Sequence, residues 1–418
     1  MSLKRQHLLR RMESLRMRLE SLESLRQLVA LPAGFDLSDK QWSVLNTHLA
    51  MSKAKMLSKM KKGARELMPG IADPRVARTL NSLLGEIEMD MARAFILFDT
   101  YADILTQRHS PELGTALAGC DILALDAIKR PHPALSIIEP PVVSCERGFG
   151  ASTLRENISF PDRTPNPLPL IQIPYSRMKE KHNLTSILHE AGHETIVRLG
   201  LIRTLPRALN IALERAGTPE DVVRLYSLWT SEIGPDLWTF CLSGLAQPAT
   251  IREILALPTG NVFRVSWTDP HPPPYIRLLL SVEWCRQVWG KGIWDDWEKD
   301  WRELYPLEDA SKSEQNILRD AERYIPLVAR ILLGTRFQVL EGKAITSLFD
   351  LSALNPARLQ RSADTAASGK LDLKGLSPCS QLAVFRLIRE KGDMSEERLD
   401  EMMSLWLSKL NVKRNQIK

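Results

Sequence analysis

The stretch LTSILHEAGHETIVRLG, residues 184 to 200, sets His189, Glu190 and His193 inside an apolar repeat. On an α-helix, residues four apart lie one turn above each other. His189 and His193 can therefore offer two imidazole nitrogens to one ion, with Glu190 beside the first as a proton acceptor. That is the HExxH arrangement, and the chemistry it suits is zinc-assisted hydrolysis. Leu184, Ile187, Leu188, Ala191 and Val197 occupy the other faces, so the helix can be buried while the histidines look into a cleft. Gly192 is costly in a helix and implies that another element packs very close there.

A catalytic zinc takes three protein ligands and leaves a fourth position to water. LWTSEIGPDLW supplies Glu232 and, four residues on, Asp236. With Glu232 as third ligand, Asp236 sits a turn along and can accept the free N–H of a ligand histidine. Pro235 intervenes: a proline inside a helix removes one backbone bond and clashes with the carbonyl at Ser231. The helix is therefore expected to kink or begin anew between Glu232 and Asp236, which leaves Asp236 open as the alternative third ligand. Further on, DPHPPPYIRLLL holds His271 and Arg277, six apart around a proline run. Zinc held by two neutral imidazoles and a carboxylate lowers the pKa of its water toward about 7, and Glu190 can take that proton. His271 and Arg277 are then candidates to face the oxyanion of a peptide bond under attack. LPLIQIP, residues 168 to 174, reads as an edge strand along which an extended peptide or protein substrate can pair, or else as a buried strand.

HExxH, then ExxxD, then HP with an arginine six after the histidine is similar, in order and internal spacing, to the gluzincin metallopeptidases of the CAAX prenyl endopeptidase and bacterial heat-shock membrane protease type. The resemblance runs over roughly residues 165 to 280. It implies a zincin-like α+β domain in which His189, His193 and Glu232 bind zinc, Glu190 is the catalytic base, and His271 and Arg277 lie near the scissile carbonyl. Members of that type sit in membranes on long apolar helices, which this chain lacks, so a prenylated or membrane-embedded substrate does not carry over.

The elements that must hold these residues belong to a chain of 418 residues, 44% apolar and 25% charged, enough to bury a full core in two or three packed units. Its longest apolar runs, such as LWTFCL and YIRLLL, fall far short of the roughly 18 to 20 residues that span a bilayer, and no secretory leader is apparent. The reading is a soluble, cytoplasmic chain with no membrane span. Five scattered cysteines fit reduced thiols. Part of the net charge of +6 sits in MSKAKMLSKMKKGARELM, residues 51 to 68. Met and Leu at helical spacing, rather than stacking aromatics, interleave those lysines, which points to a solvated helix face and disfavours nucleic acid as a partner.

Four regions follow. In residues 1–32, Leu8, Met12, Leu15, Leu19, Leu22 and Val29 form a short heptad seam, suited either to antiparallel pairing within the chain or to self-association or partner binding. LPAGFDLSD then breaks the helix, with Ser38 or Asp36 able to cap the next. Residues 33–130 read as a helical domain interrupted by MPGIADP. Residues 131–350 carry the metallopeptidase domain, with strands between 130 and 175 and helices beyond, apart from a loop at 257–274. In 351–418, ADTAASGKLDLKGLSP reads as a linker to two helices near 379–391 and 395–410. The expected fold class is thus α+β and predominantly α-helical, with helical N- and C-terminal extensions.

The other histidines, His7, His48, His109, His132 and His182, have no partner at ligand spacing and are read as surface or packing residues. Trp284, Trp289, Trp294, Trp297 and Trp301 read as a core or interface stripe. Three functions compete: a zinc-dependent endopeptidase, a catalytically silent zinc scaffold that uses its helical arms for partners, and a basic helical binding protein with a fortuitous HExxH. The presence of Glu190 favours the first.

Overall fold

Helix accounts for 74% of the chain and strand for 4%, so the strands position local features while helices carry the core. The computed structural model describes residues 3–22, 24–136, 140–148, 150–154, 166–367 and 371–417. In chain order the first helices are α1 (Leu3–Glu20), α2 (Leu25–Val29), α3 (Asp39–Leu67), α4 (Pro74–Thr106) and α5 (Pro111–Ile128). Strands β1 (Val142–Glu146), β2 (Ser152–Leu154) and β3 (Leu170–Pro174) follow. Then come α6 (Thr185–Arg198), α7 (Leu201–Arg215), α8 (Glu220–Ser243), α9 (Ala246–Ile254), α10 (Thr259–Val262), α11 (Pro274–Trp289), α12 (Ile293–Leu304), α13 (Lys312–Arg323) and α14 (Ile325–Gly334). A two-residue hairpin of β4 (Arg336–Phe337) and β5 (Lys343–Ala344) precedes α15 (Pro356–Ala367), α16 (Pro378–Lys391) and α17 (Glu396–Ile417). The chain divides into two compact units, the first made of residues 1–117, 154–170 and 415–418, the second of 118–153 and 171–414.

In the first unit the N-terminal seam finds its partners within the chain. Leu8, Leu15 and Leu19 of α1, with Leu22 beyond it, join Met56 and Met60 of α3 and Leu80, Leu84, Ile87 and Met91 of α4 in one apolar cluster. The edge that a coiled-coil partner would need is consumed by this packing. Ser38 caps α3 in a capping box with Gln41, whereas Asp36 accepts the Trp42 indole N–H at 2.6 Å. MPGIADP makes the turn between α3 and α4, where Asp73 caps and Pro74 opens the next helix. The basic run lies along α3. Met56, Met60 and Gly63 face inward, Lys59 pairs with Glu86, and Lys53 donates to the carbonyls of Glu20 and Leu22 at the end of α1. This is a solvated face with local ion pairs.

The second unit is built around α8, which is buried almost throughout from Trp229 to Ser243 and packs against α6, α7, α9, α11 and α16. Trp238 donates to the Ala127 carbonyl and Tyr226 to the Ala321 carbonyl, both at 2.8 Å. Trp284, Trp294, Trp297 and Trp301 are buried, in keeping with a core role. Among the described residues the five cysteines form no disulfide. Among the described residues, no helix is long and apolar enough to cross a membrane.

Two sequence expectations change here. The strand order is β1-β3-β2, so the segment containing LIQIP is the middle strand with neighbours on both sides, not an edge. Residues 363–367 of the expected linker belong instead to α15, where Ala363 and Ala366 are buried, and α15 packs on α16. Small residues there allow close helix contact, and their composition resembles a linker only when the partner helix is unknown.

Candidate metal centre

α6 folds as its pattern demands. Leu184, at its N-cap, and Ile187, Leu188 and Ala191 are fully buried, Gly200 turns the chain at its end with φ 64°, and the histidines are left 14% and 23% exposed toward a cavity. Their rings meet edge to face with centroids 4.9 Å apart. Gly192 lies against α8: a Cβ there would stand 2.9 Å from Pro235 Cα. The glycine's place in a helix is explained by that approach.

Pro235 does not end α8: of the two expected outcomes, a kink or a helix that begins anew, the second does not occur. The helix runs through it as one element, and Glu232 and Asp236 stay one turn apart on the face toward α6. The lost backbone bond is tolerated because α8 is held on all sides by packing.

Across this contact the geometry is close. Glu232 Oε2 lies 3.2 Å from His189 Nε2 and its Oε1 lies 3.6 Å from His193 Nε2. His189 Nδ1 donates to Asp236 Oδ1 at 2.9 Å, so the ring presents Nε2 to the centre. Arg277, on α11, grips Asp236 with two bonds, Nε at 2.6 Å and Nη2 at 2.8 Å. Its guanidinium is therefore engaged in positioning Asp236 behind the histidine. His271 sits at the mouth, 60% exposed, with Nε2 3.7 Å from Glu232 and Nδ1 2.7 Å from Asp269. Asp269, two residues before His271, is the site residue that the sequence reading passed over; the DPHP run holds its only signal. Its carboxylate also accepts the His271 backbone N–H at 3.1 Å, fixing the loop around the ring.

Burial and charge tune these groups in different directions. Burial and the neighbouring His189 push His193 down to about 4, so it is a neutral donor. For His189 burial opposes the charged form, but Asp236 and Glu232 outweigh it and raise the ring to about 9. Burial raises Glu190 to about 6. Burial would raise Glu232 and Asp236 as well, yet His189 and Arg277 hold Glu232 down at about 2 and Asp236 well below the usual carboxylate range.

The donor set tests whether a metal fits. His189, Glu190 and His193 each offer an atom within 4.8 Å of the others, the one such group among the described residues. Glu232, reaching both imidazole Nε2 atoms from the opposite helix, adds a carboxylate directly between them. Two imidazoles and a carboxylate suit zinc, and Asp236 holds one ligand's tautomer. Of the other histidines, His182 contacts Glu253 at 3.2 Å and His132 bonds the Val339 carbonyl at 2.9 Å, so both have structural employment.

His189, Glu190, His193, Glu232, Asp236, His271 and Arg277 all line one cavity of about 310 Å³, together with Gly150 and Ala151 just before β2. Comparison with known proteins returned no match, whether to family models, to curated proteins or to solved structures.

Proposed function

We propose that this chain is a zinc-dependent peptidase with a zincin-like helical domain, His189, His193 and Glu232 holding the metal and Glu190 serving as general base. The observation that carries the reading is the placement of Glu232 against both Nε2 atoms of the HExxH pair, while the neighbouring Glu190 is buried beside an open cavity. The family-like order of motifs, HExxH, ExxxD and HP with a later arginine, supports it further. A bound zinc would supply Lewis acidity, lowering the pKa of a water and polarising a carbonyl.

The chain's own residues divide the remaining work. Glu190, with its pKa raised to about 6, is ionised at neutral pH yet close enough in basicity to accept a proton from water and return it to the leaving amine. Asp236 keeps His189 in the tautomer that offers Nε2, and Arg277 keeps Asp236 charged. His271, held through Nδ1 by Asp269, turns Nε2 to the cavity mouth, where the doubly protonated ring would donate to a developing oxyanion. Because β3 is the middle strand, an extended substrate would pair along β2 instead, since Gly150 and Ala151 lead from that strand into the cavity.

The test is mass-spectrometric profiling of a peptide mixture incubated with the purified chain, with and without removal of metal by a chelator. Cleavages that vanish on chelation and return with zinc are expected. Absence of any cleavage by the zinc-loaded chain would leave a zinc scaffold as the better reading.

A further inference from the structure

The cavity continues past the metal-binding residues to a wall that the hydrolytic chemistry leaves idle. α9 turns Gln247, Thr250, Ile251 and Ile254 toward it, at intervals of three, one and three that place all four on one helix face. Two atoms of this wall have no hydrogen-bond partner among the described residues: Gln247 Oε1 and Thr250 Oγ1, from residues 1% and 4% exposed. The orientation of the Gln247 amide follows from its surroundings. Ser281 Oγ spends its proton on the Arg277 carbonyl at 2.8 Å, so toward Gln247 it accepts, which fixes Nε2 on Ser281 at 3.0 Å and leaves the carbonyl oxygen unused. Thr239, on the adjoining part of α8, already donates to the Pro235 carbonyl. The unmet hydrogen-bonding capacity of this wall therefore lies on α9.

Buried acceptors without partners are destabilising, and a ligand donor that reaches them recovers the loss. Of the charged residues that line the cavity, Asp236 is paired with Arg277 and Arg177 with Glu180, and Glu190 is reserved by the proposed chemistry for moving a proton. An ionised group entering here would be stripped of water and would gain a counter-charge only by engaging one of these groups. Resting on the peptidase reading, we propose that the α9 wall is the pocket for one substrate side chain, uncharged and bearing a hydrogen-bond donor on a short apolar stem: asparagine, glutamine, serine or threonine. The stem packs on Ile251 and Ile254; an amide NH2 donates to both Gln247 Oε1 and Thr250 Oγ1, whereas a hydroxyl donates to Gln247 Oε1 and accepts from the Thr250 hydroxyl.

The experiment is affinity selection from a randomised peptide mixture, read by mass spectrometry, on the full chain carrying Glu190→Gln to block turnover. Retained peptides should be enriched in those four residues at one position. Thr250→Val keeps the side-chain shape and should cut that enrichment roughly 3- to 10-fold, as loss of one neutral hydrogen bond does, while peptides with apolar isosteres bind as before. Gln247→Met probes the other atom, so the test does not hang on one variant's folding. Selection with no positional preference, or a preference that survives both variants, overturns the pocket. Binding is read without cleavage, so the two readings fail separately. A selective pocket in a zinc-loaded chain that cuts nothing keeps this inference and removes the peptidase, whereas cleavage without preference does the reverse.

Discussion

Gly192→Ala tests the contact that brings the two halves of the site together. The added Cβ would lie 2.9 Å from Pro235 Cα and 3.2 Å from the Pro235 carbonyl oxygen, backbone atoms of a buried helix that cannot rotate aside. Ordinary contact begins near 3.4 Å, so α6 and α8 must part by about 0.5 Å, the difference between 3.4 and 2.9. Two effects on stability oppose each other: alanine's helix propensity favours the variant by ~1 kcal/mol, and overpacking costs ~1–3 kcal/mol. The net is a loss of roughly 0–2 kcal/mol. The site is more sensitive than the fold, because Glu232 meets both histidines across this same contact and metal–ligand distances tolerate only about 0.2 Å. Zinc affinity should therefore fall by roughly 10-fold or more, while the variant still melts cooperatively. Competition with a chromogenic chelator and calorimetry on the same preparations read both quantities. A variant that melts higher than wild type and holds zinc as tightly would refute the claim that helix separation sets the ligand geometry.

Glu232→Ala should strip the metal, whereas Asp236→Asn should weaken it by roughly 10- to 100-fold; tighter zinc in Glu232→Ala than in Asp236→Asn, by chelator titration, would exchange their roles. Zinc uptake at pH 7 should release about one proton, because His189, raised to about 9, is charged in the metal-free chain and must free Nε2, while His193, lowered to about 4, is already neutral. The sign is an affinity that climbs with pH up to about 9; calorimetry in buffers of different ionisation enthalpy measures the proton, and release of none would contradict the Asp236–His189 pairing. Leu15→Ala, at a fully buried seam position, should cost ~2–5 kcal/mol in denaturant unfolding with zinc content and light-scattering mass unchanged, and an altered mass would show that the seam serves a partner.

The helices of this chain were legible where amphipathic spacing and capping residues agree, as at Ser38 and at Asp73–Pro74. The histidine pair that faces the cavity was legible for the same reason, since the interval from His189 to His193 matches a helical turn. That α8 continues through Pro235 is not legible from the sequence, because the cost of a proline on an isolated helix admits a fresh start as readily as a kink. In the fold Pro235 lies against Gly192, and packing on several sides carries α8 through the missing bond. The strand at LIQIP was visible in composition, but its position between β1 and β2 depends on pairings that no local pattern encodes. Ala363 and Ala366 illustrate the opposite failure, as small residues signal flexibility or close helix contact, and only the partner decides. Arg277 was marked by spacing alone; its bidentate grip on Asp236, and the support that Asp269 gives His271, are facts of three-dimensional arrangement.

The most direct test of the account is the rate of peptide hydrolysis by Glu190→Gln beside wild type, with zinc content equalised by elemental analysis. Glu190 offers an atom to the cluster but is not one of the three proposed ligands, so the variant should bind zinc as wild type does. Loss of the general base predicts a fall of roughly two to four orders of magnitude in rate. A Glu190→Gln chain that keeps its zinc and cleaves at the wild-type rate would contradict the claim that this carboxylate moves the proton.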